Sequence, residues 1–138
     1  MRSRYYRLAG IAVLALLLVA CQGYTETGAR SSDRQGADGG ILTVEIERAN
    51  GSSEKSIELQ GGAGVALDAH VTLAVGMGSY KIELLGAGGE VTLALEARAG
   101  ETVEGQGLMV ADSFGEASYR ISAQEAGKVT YVIEYTFR

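Results

Sequence analysis

From residue 41 to the C-terminus, apolar and polar side chains alternate with a period of two, the pattern of strands that bury one face. Leu42, Val44 and Ile46 fall on one side of residues 41–48, and Thr43, Glu45 and Glu47 on the other. Asn50-Gly51 is turn chemistry, because both residues tolerate positive φ. A short second segment carries Ile57 and Leu59 inward, and a glycine-rich run at 61–64 ends it. The third segment puts Val65, Leu67, Ala69, Val71, Leu73 and Val75 inward and leaves Ala66, Asp68, His70, Thr72 and Ala74 outward.

Five further segments follow in the same way. Gly76-Met77-Gly78 turns the chain into residues 79–85, with Tyr80, Ile82 and Leu84 inward. Val91, Leu93, Leu95 and Ala97 form the inward set of the fifth, so Leu93→Asp should unfold the domain while Thr92→Asp should cost little. In residues 102–110, Gly105 and Gly107 weaken the strand and are expected to mark a bulge. Tyr119, Ile121 and Ala123 face inward next. Gln124 to Gly127 is expected to close a hairpin into the last strand, the most aromatic one, with Val129, Tyr131, Ile133, Tyr135 and Phe137. Its composition suits a central position in a sheet. About eight such strands, without a helix-period segment, predict an all-β fold: an antiparallel β-sandwich, Ig-like or jelly-roll-like, over residues 41–138.

Upstream of this body the pattern is different. Residues 22–40 hold one aromatic, Tyr24, and no Val, Ile or Leu. Such a segment reads as a flexible polar tether with a reach of roughly 22 to 26 Å. Ahead of it, residues 1–7 carry Arg2, Arg4 and Arg7 without an acid, and residues 8–20 are an almost unbroken run of Ala, Ile, Val and Leu. A charged start before an apolar run shorter than the roughly 20 residues of a spanning helix is a secretory signal.

That run ends in Leu18-Val19-Ala20-Cys21, and Cys21 is the sole cysteine. Residues 1–22 resemble the lipobox region of bacterial lipoproteins. The resemblance implies that signal peptidase II cuts before Cys21 and that the Cys21 thiol carries a diacylglycerol, usually with an acylated amine. Cys21 would then be the first residue of the mature protein and its attachment to the cell membrane or outer membrane. Gln22 stands where the family associates Asp with inner-membrane retention, which implies an outer-membrane destination. Two or more acyl chains, at about 0.8 kcal/mol per buried CH₂, exceed the reversible range of a single chain.

Charge narrows the partners. The chain has 12 basic and 17 acidic side chains, and without the three arginines of the signal 9 basic remain against the 17, a net −8. Nucleic-acid binding rests on phosphate neutralisation, so no nucleic-acid partner is expected. An anionic lipid surface should mildly repel the body. One Cys cannot form an internal disulfide, and one Cys with one His is too few ligands for a structural zinc; no metal and no cofactor is expected.

The candidate chemistry is thin. Any histidine-dependent hydrolysis would run through His70, the only imidazole, with Asp68 two positions away on the same strand face. A solvated outward strand face looks the same, and no Gly-x-Ser-x-Gly elbow is present. Asp68, Asp112 and Glu116 lie near strand ends and could contribute to a calcium site, although no Asp-x-Asp-x-Asp-Gly spacing prepares one. The segment 78–84, glycine followed by an alternating Tyr-led strand, resembles small extracellular β-sandwich modules of bacteria, including pre-peptidase C-terminal domains. The reading that results is a lipid-anchored envelope lipoprotein whose domain is not an enzyme. It would act by contact with an envelope protein or glycan, using the face Ala66, Asp68, His70, Thr72 and Ala74. A small-ligand or calcium-dependent binding module is the alternative, and a His70 hydrolase a further one.

Overall fold

A computed structural model of the chain describes residues 23–60 and 62–138. The predicted signal segment and Cys21 lie outside the described residues. Among the described residues seven strands follow one another: β1 (Thr25–Thr27), β2 (Arg30–Gln35), β3 (Gly39–Glu58), β4 (Ala66–Leu85), β5 (Val91–Arg98), β6 (Glu101–Val110) and β7 (Glu116–Phe137). Every pairing is antiparallel.

Three of these strands, β3 and β4 of 20 residues and β7 of 22, run to about twice the upper end of the usual range, because each belongs to two layers. In the front layer β2 pairs with the first half of β3, which pairs with the second half of β7, then the first half of β4, then β6. In the back layer the second half of β3 pairs with the first half of β7, then the second half of β4, then β5. The sheet is thus folded on itself, and its strand halves take the order of a jelly roll. The eight predicted strand segments are present, but three of the predicted hairpin turns are not hairpins. Asn50-Gly51, Gly76-Met77-Gly78 and Gln124 to Gly127 are creases at which one strand passes from one layer to the other.

The creases have a physical signature. Between Ala49 and Gly51, and between Met77 and Ser79, the register slips by one residue. One residue of slip exchanges the two faces of a strand. Accordingly β4 buries Leu67 to Val75 at odd positions before the crease and Tyr80, Ile82 and Leu84 at even positions after it. Gly78 makes its bend with φ of 66°, and a side chain there would run into the carbonyls of Gln124 and Glu125. On β7 the bend is carried by Glu125 and Lys128, both at positive φ.

Residues 25–35 are not a tether. Thr25 pairs with Asn50, and Gln35 with Gly40, so β1 and β2 keep one register along β3 and are interrupted only at Gly28-Ala29. They form a hairpin with β3 whose two-residue tip, Ala37-Asp38, is closed by Gly36 N–H donating to the Gly39 carbonyl at 2.8 Å. This edge strand is ordered without Val, Ile or Leu because its inward side chains lie at the open side of the sandwich, where polar groups find partners. Tyr24 Oη donates to Glu26 Oε2 at 2.7 Å, Tyr135 Oη donates to Asp33 Oδ1 at 3.0 Å, and Gln35 bridges to Glu58 and Gln60 on the back layer.

Gly105 and Gly107 mark no bulge, since β6 pairs with β4 in unbroken register from Val75–Glu101 to Ala66–Val110. They are glycines because β5 of the back layer crosses directly over them: a Cβ on Gly107 would lie 2.7 Å from Leu93 Cβ. The irregularity sits instead in the pairing of β4 with β5, where Leu84 pairs with Leu93 and Leu85 with Val91, so that Thr92 is the extra residue on β5. It turns Thr92 inward, where its hydroxyl donates to the Leu108 carbonyl, so the expectation that Thr92→Asp is harmless does not hold.

The core between the layers is continuous and apolar, with a row of tyrosines along its open side. Tyr119 and Tyr131 share a hydrogen bond of 3.0 Å between their hydroxyls, and Tyr80 stacks on Tyr131 with ring centroids 6.0 Å apart. Tyr24 reaches Tyr80 Oη at 3.3 Å. Burial pushes all four phenols above their ordinary range, because an ionised phenolate there would be stripped of water.

Candidate functional site

The predicted face is real as a face. Ala66, Asp68, His70, Thr72 and Ala74 all point outward from the front layer, between β6 and β7. Register extends each into a cross-strand row. His70 stands between Gln106 and Glu134, with Ile41 beyond; Asp68 stands between Leu108 and Thr136. Thr72 stands between Glu104 and Val132. The His70 and Asp68 rows and Arg138 bound an open concavity of about 610 Å³, lined by Ile41, Asp68, His70, Gln106, Leu108, Glu134, Thr136 and Arg138 with the backbone near Gly40. Thr72 and Ala74 lie on the same face outside it, and Ala66 also falls beyond its rim.

The predicted pairing of Asp68 with His70 does not form. Both Asp68 oxygens accept hydrogen bonds from Arg138 Nε at 3.1 Å, and Arg138 Nη2 reaches Oδ1 at 3.0 Å. That bond to Arg138 holds the Asp68 carboxyl below its usual range and raises the guanidinium in turn. His70 Nε2 instead lies 3.4 Å from Glu104 Oε2, a carboxylate 71% exposed. No hydroxyl or thiol among the described residues makes a hydrogen bond to His70, so the nucleophile that a histidine base would activate is not placed beside it.

The calcium candidates are also dispersed. Asp112 Oδ1 accepts the Phe114 and Glu116 amides at 2.8 and 3.1 Å and so organises its own turn. Asp68 is held by Arg138 elsewhere. Among the described residues, no three His, Cys, Asp or Glu side chains gather closely enough for a metal ion.

What the concavity offers is a set of short polar groups of both kinds. Gln106, Thr136 and His70 donate or accept, Glu134 accepts, and Arg138 donates. Ile41, 46% exposed, and the half-buried Leu108 supply the apolar surface. The nearest aromatic residue, Tyr135, turns its ring into the core, and the large aromatic most exposed among the described residues is Phe114 at 85%, in the loop between β6 and β7. Sequence reading identified the β4 half of this site and missed Ile41, Gln106, Leu108, Glu134, Thr136 and Arg138. These come from three other strands and the C-terminus, and only the register brings them together.

No protein-family model matches the chain, and no curated protein does. Among solved structures, it is similar to the CBM22-1 xylan-binding domain of Paenibacillus barcinonensis Xyn10C, with 14% identity, a TM-score of 0.40, and coverage of 86% of each chain. It is also similar to a carbohydrate-binding module (CBM6cm-2) of Cellvibrio mixtus lichenase 5A in complex with cellotriose, at 18% identity and a TM-score of 0.37, over 81% of this chain and 88% of that one. A third similar structure is the C-terminal domain of EclA, a sugar-binding protein, at 18% identity and a TM-score of 0.40, over 83% and 81% of the two chains.

Proposed function

We propose that the chain is a lipid-anchored protein of a bacterial cell envelope. Its β-sandwich is a non-catalytic binding module, and the concavity of the front layer takes a hydroxyl-rich envelope glycan. The observation that carries the binding half is the lining of that concavity, which offers donors and acceptors within one opening large enough for a short oligosaccharide. A protein partner would call for a buried aromatic or arginine anchor at its centre; here the one arginine, Arg138, is exposed and already bound to Asp68, and the main apolar contribution is Ile41 and Leu108. The commitment of Asp68 to Arg138 removes the dyad a His70 hydrolase would use. Anchoring rests on residues 1–21, whose charged start, apolar run and Leu-Val-Ala-Cys ending are those of a lipobox.

Without an outward aromatic for a sugar ring to stack on, binding runs through hydrogen bonds that compete with water, so affinity should be weak, with a Kd of about a millimolar. The test is an NMR titration of the domain with muropeptides and with a panel of neutral oligosaccharides. Shifts confined to His70, Gln106, Glu134 and Thr136, lost in a His70→Ala, Glu134→Ala double variant, support the reading. Shifts elsewhere, or none with any glycan, overturn it. For the anchor, the intact mass of the membrane-extracted protein should equal the chain from Cys21 onward plus acyl groups. An unmodified Cys21 refutes that half.

A further inference from the structure

We infer that the creased end of the sandwich rests on the bilayer surface, with Met77 entering the headgroup region and the loop carrying Phe114 turned away. This deepens the anchored reading and rests on it. Because residues 25–35 are strand, the leash is not the long polar segment but the three peptide units from Cys21 to Tyr24, which span at most about 11 Å. The chain leaves the fold at a defined place: the backbone of Gly23 and Tyr24 lies against Gly51, at the crease of β3. The other crossings gather at the same end. Thr25, Thr27, Asn50, Met77 and Glu125 line one concavity of about 520 Å³.

Two features of this end suit a lipid surface. Met77, an unbranched apolar side chain in the β4 crease, is 47% exposed and lies over Gly127. The charges there, Arg48, Arg98 and Lys128 against Glu26, Glu47, Glu101 and Glu125, come close to balance in a body that is otherwise strongly acidic. The opposite end carries Asp38, Glu90 and Asp112 on its loops and Glu116 at the start of β7, with Arg138 held by Asp68, a net negative end that an anionic leaflet repels. The first half of β4, residues 66–75, separates the two ends by about 30 Å at 3.3 Å per residue, well beyond the leash. With the creased end down, the front concavity faces sideways and the Phe114 loop outward.

The chain has no Trp, so single tryptophans report cleanly. Met77→Trp and Phe114→Trp, both at exposed positions, would be made in the full-length protein, extracted with its lipid and placed in phosphatidylethanolamine–phosphatidylglycerol vesicles with brominated acyl chains. Intact mass is read on the same samples. The expected result is at least a twofold loss of emission for the Met77→Trp variant and almost none for the Phe114→Trp variant. Equal quenching, or stronger quenching at position 114, in protein whose mass shows the acyl groups overturns the orientation and leaves the anchor standing. A mass without acyl groups overturns the anchor, and the orientation with it.

Discussion

Replacing Gly107 with Ala tests the crossing of β5 over β6. The added Cβ would lie 2.7 Å from Leu93 Cβ, 3.2 Å from Thr92 Oγ1 and 3.3 Å from Leu84 Cδ1. Carbon atoms rest at about 3.5–4.0 Å, so the first contact is short by about 1 Å. Leu93 Cβ is fixed to the backbone of β5, and no rotamer change moves it; the layers must separate locally. Overpacking of this kind costs about 1–3 kcal/mol. Ala returns about 0.5–1 kcal/mol through the lower entropy of the unfolded chain. The net loss should be about 1–2 kcal/mol, a fall in Tm of about 5–15 °C for a domain of this size. Gly105→Ala is the internal control. Its Cβ would meet Leu93 Cδ1 at 2.9 Å and Leu95 Cδ2 at 3.1 Å, both the movable ends of side chains. That variant should stay within about 0.5 kcal/mol of the parent. Urea denaturation of the three proteins, with the m-value unchanged, gives the comparison. If Gly105→Ala costs as much as Gly107→Ala, or if Gly107→Ala is silent, the layers do not meet where the structure puts them.

Three other outcomes follow from the same contacts. Tyr80, Tyr119 and Tyr131 have phenols raised by burial, so the folded state keeps protons that the unfolded state loses above about pH 10. Stability should therefore fall as pH rises past 10, and absorbance at 295 nm should rise in the same step in which circular dichroism is lost; phenol ionisation with the fold intact would refute this. Asp68 is held low by Arg138, so that pair stabilises the fold at neutral pH and ceases to as pH falls through the carboxylate range. Arg138→Gln should lower Tm slightly at pH 7, and the difference should vanish in acid and in high salt; a difference that persists in acid would contradict the assignment. On β5, Ala94→Asp should be nearly neutral at its exposed position. Thr92→Asp should cost about 1–3 kcal/mol by setting a carboxylate against the Leu108 carbonyl, and equal melting of the two would show that Thr92 is not inward.

Two-residue alternation made the layers legible, because each strand half must send one face to the same core: Leu67 to Val75, and Tyr119 to Ala123 with Val129 to Tyr135, lie inward as the pattern requires. The creases were not legible as creases. Asn50-Gly51 and Gly76-Met77-Gly78 supply the positive φ that a hairpin needs and equally the positive φ that a bending strand needs, and only pairing partners distinguish the two. The edge strand escaped notice for a different reason. Alternation reports burial against apolar neighbours, whereas Tyr24, Asp33 and Gln35 face a seam where hydrogen bonds do the holding. At the site, the outward set of β4 could be read from parity, but Glu134 and Gln106 reach His70 only through strands distant in sequence.

The short leash, and with it the placement of the body on the membrane, depends on residues 25–35 being part of the sandwich. Native-state amide hydrogen exchange on the lipid-anchored protein measures this directly. The structure predicts that amides of Arg30 to Gln35 paired to β3 exchange orders of magnitude more slowly than a free peptide, in step with their partners between Gly40 and Glu45. Free-peptide rates throughout 25–35, with protection beginning only at residue 40, would contradict it.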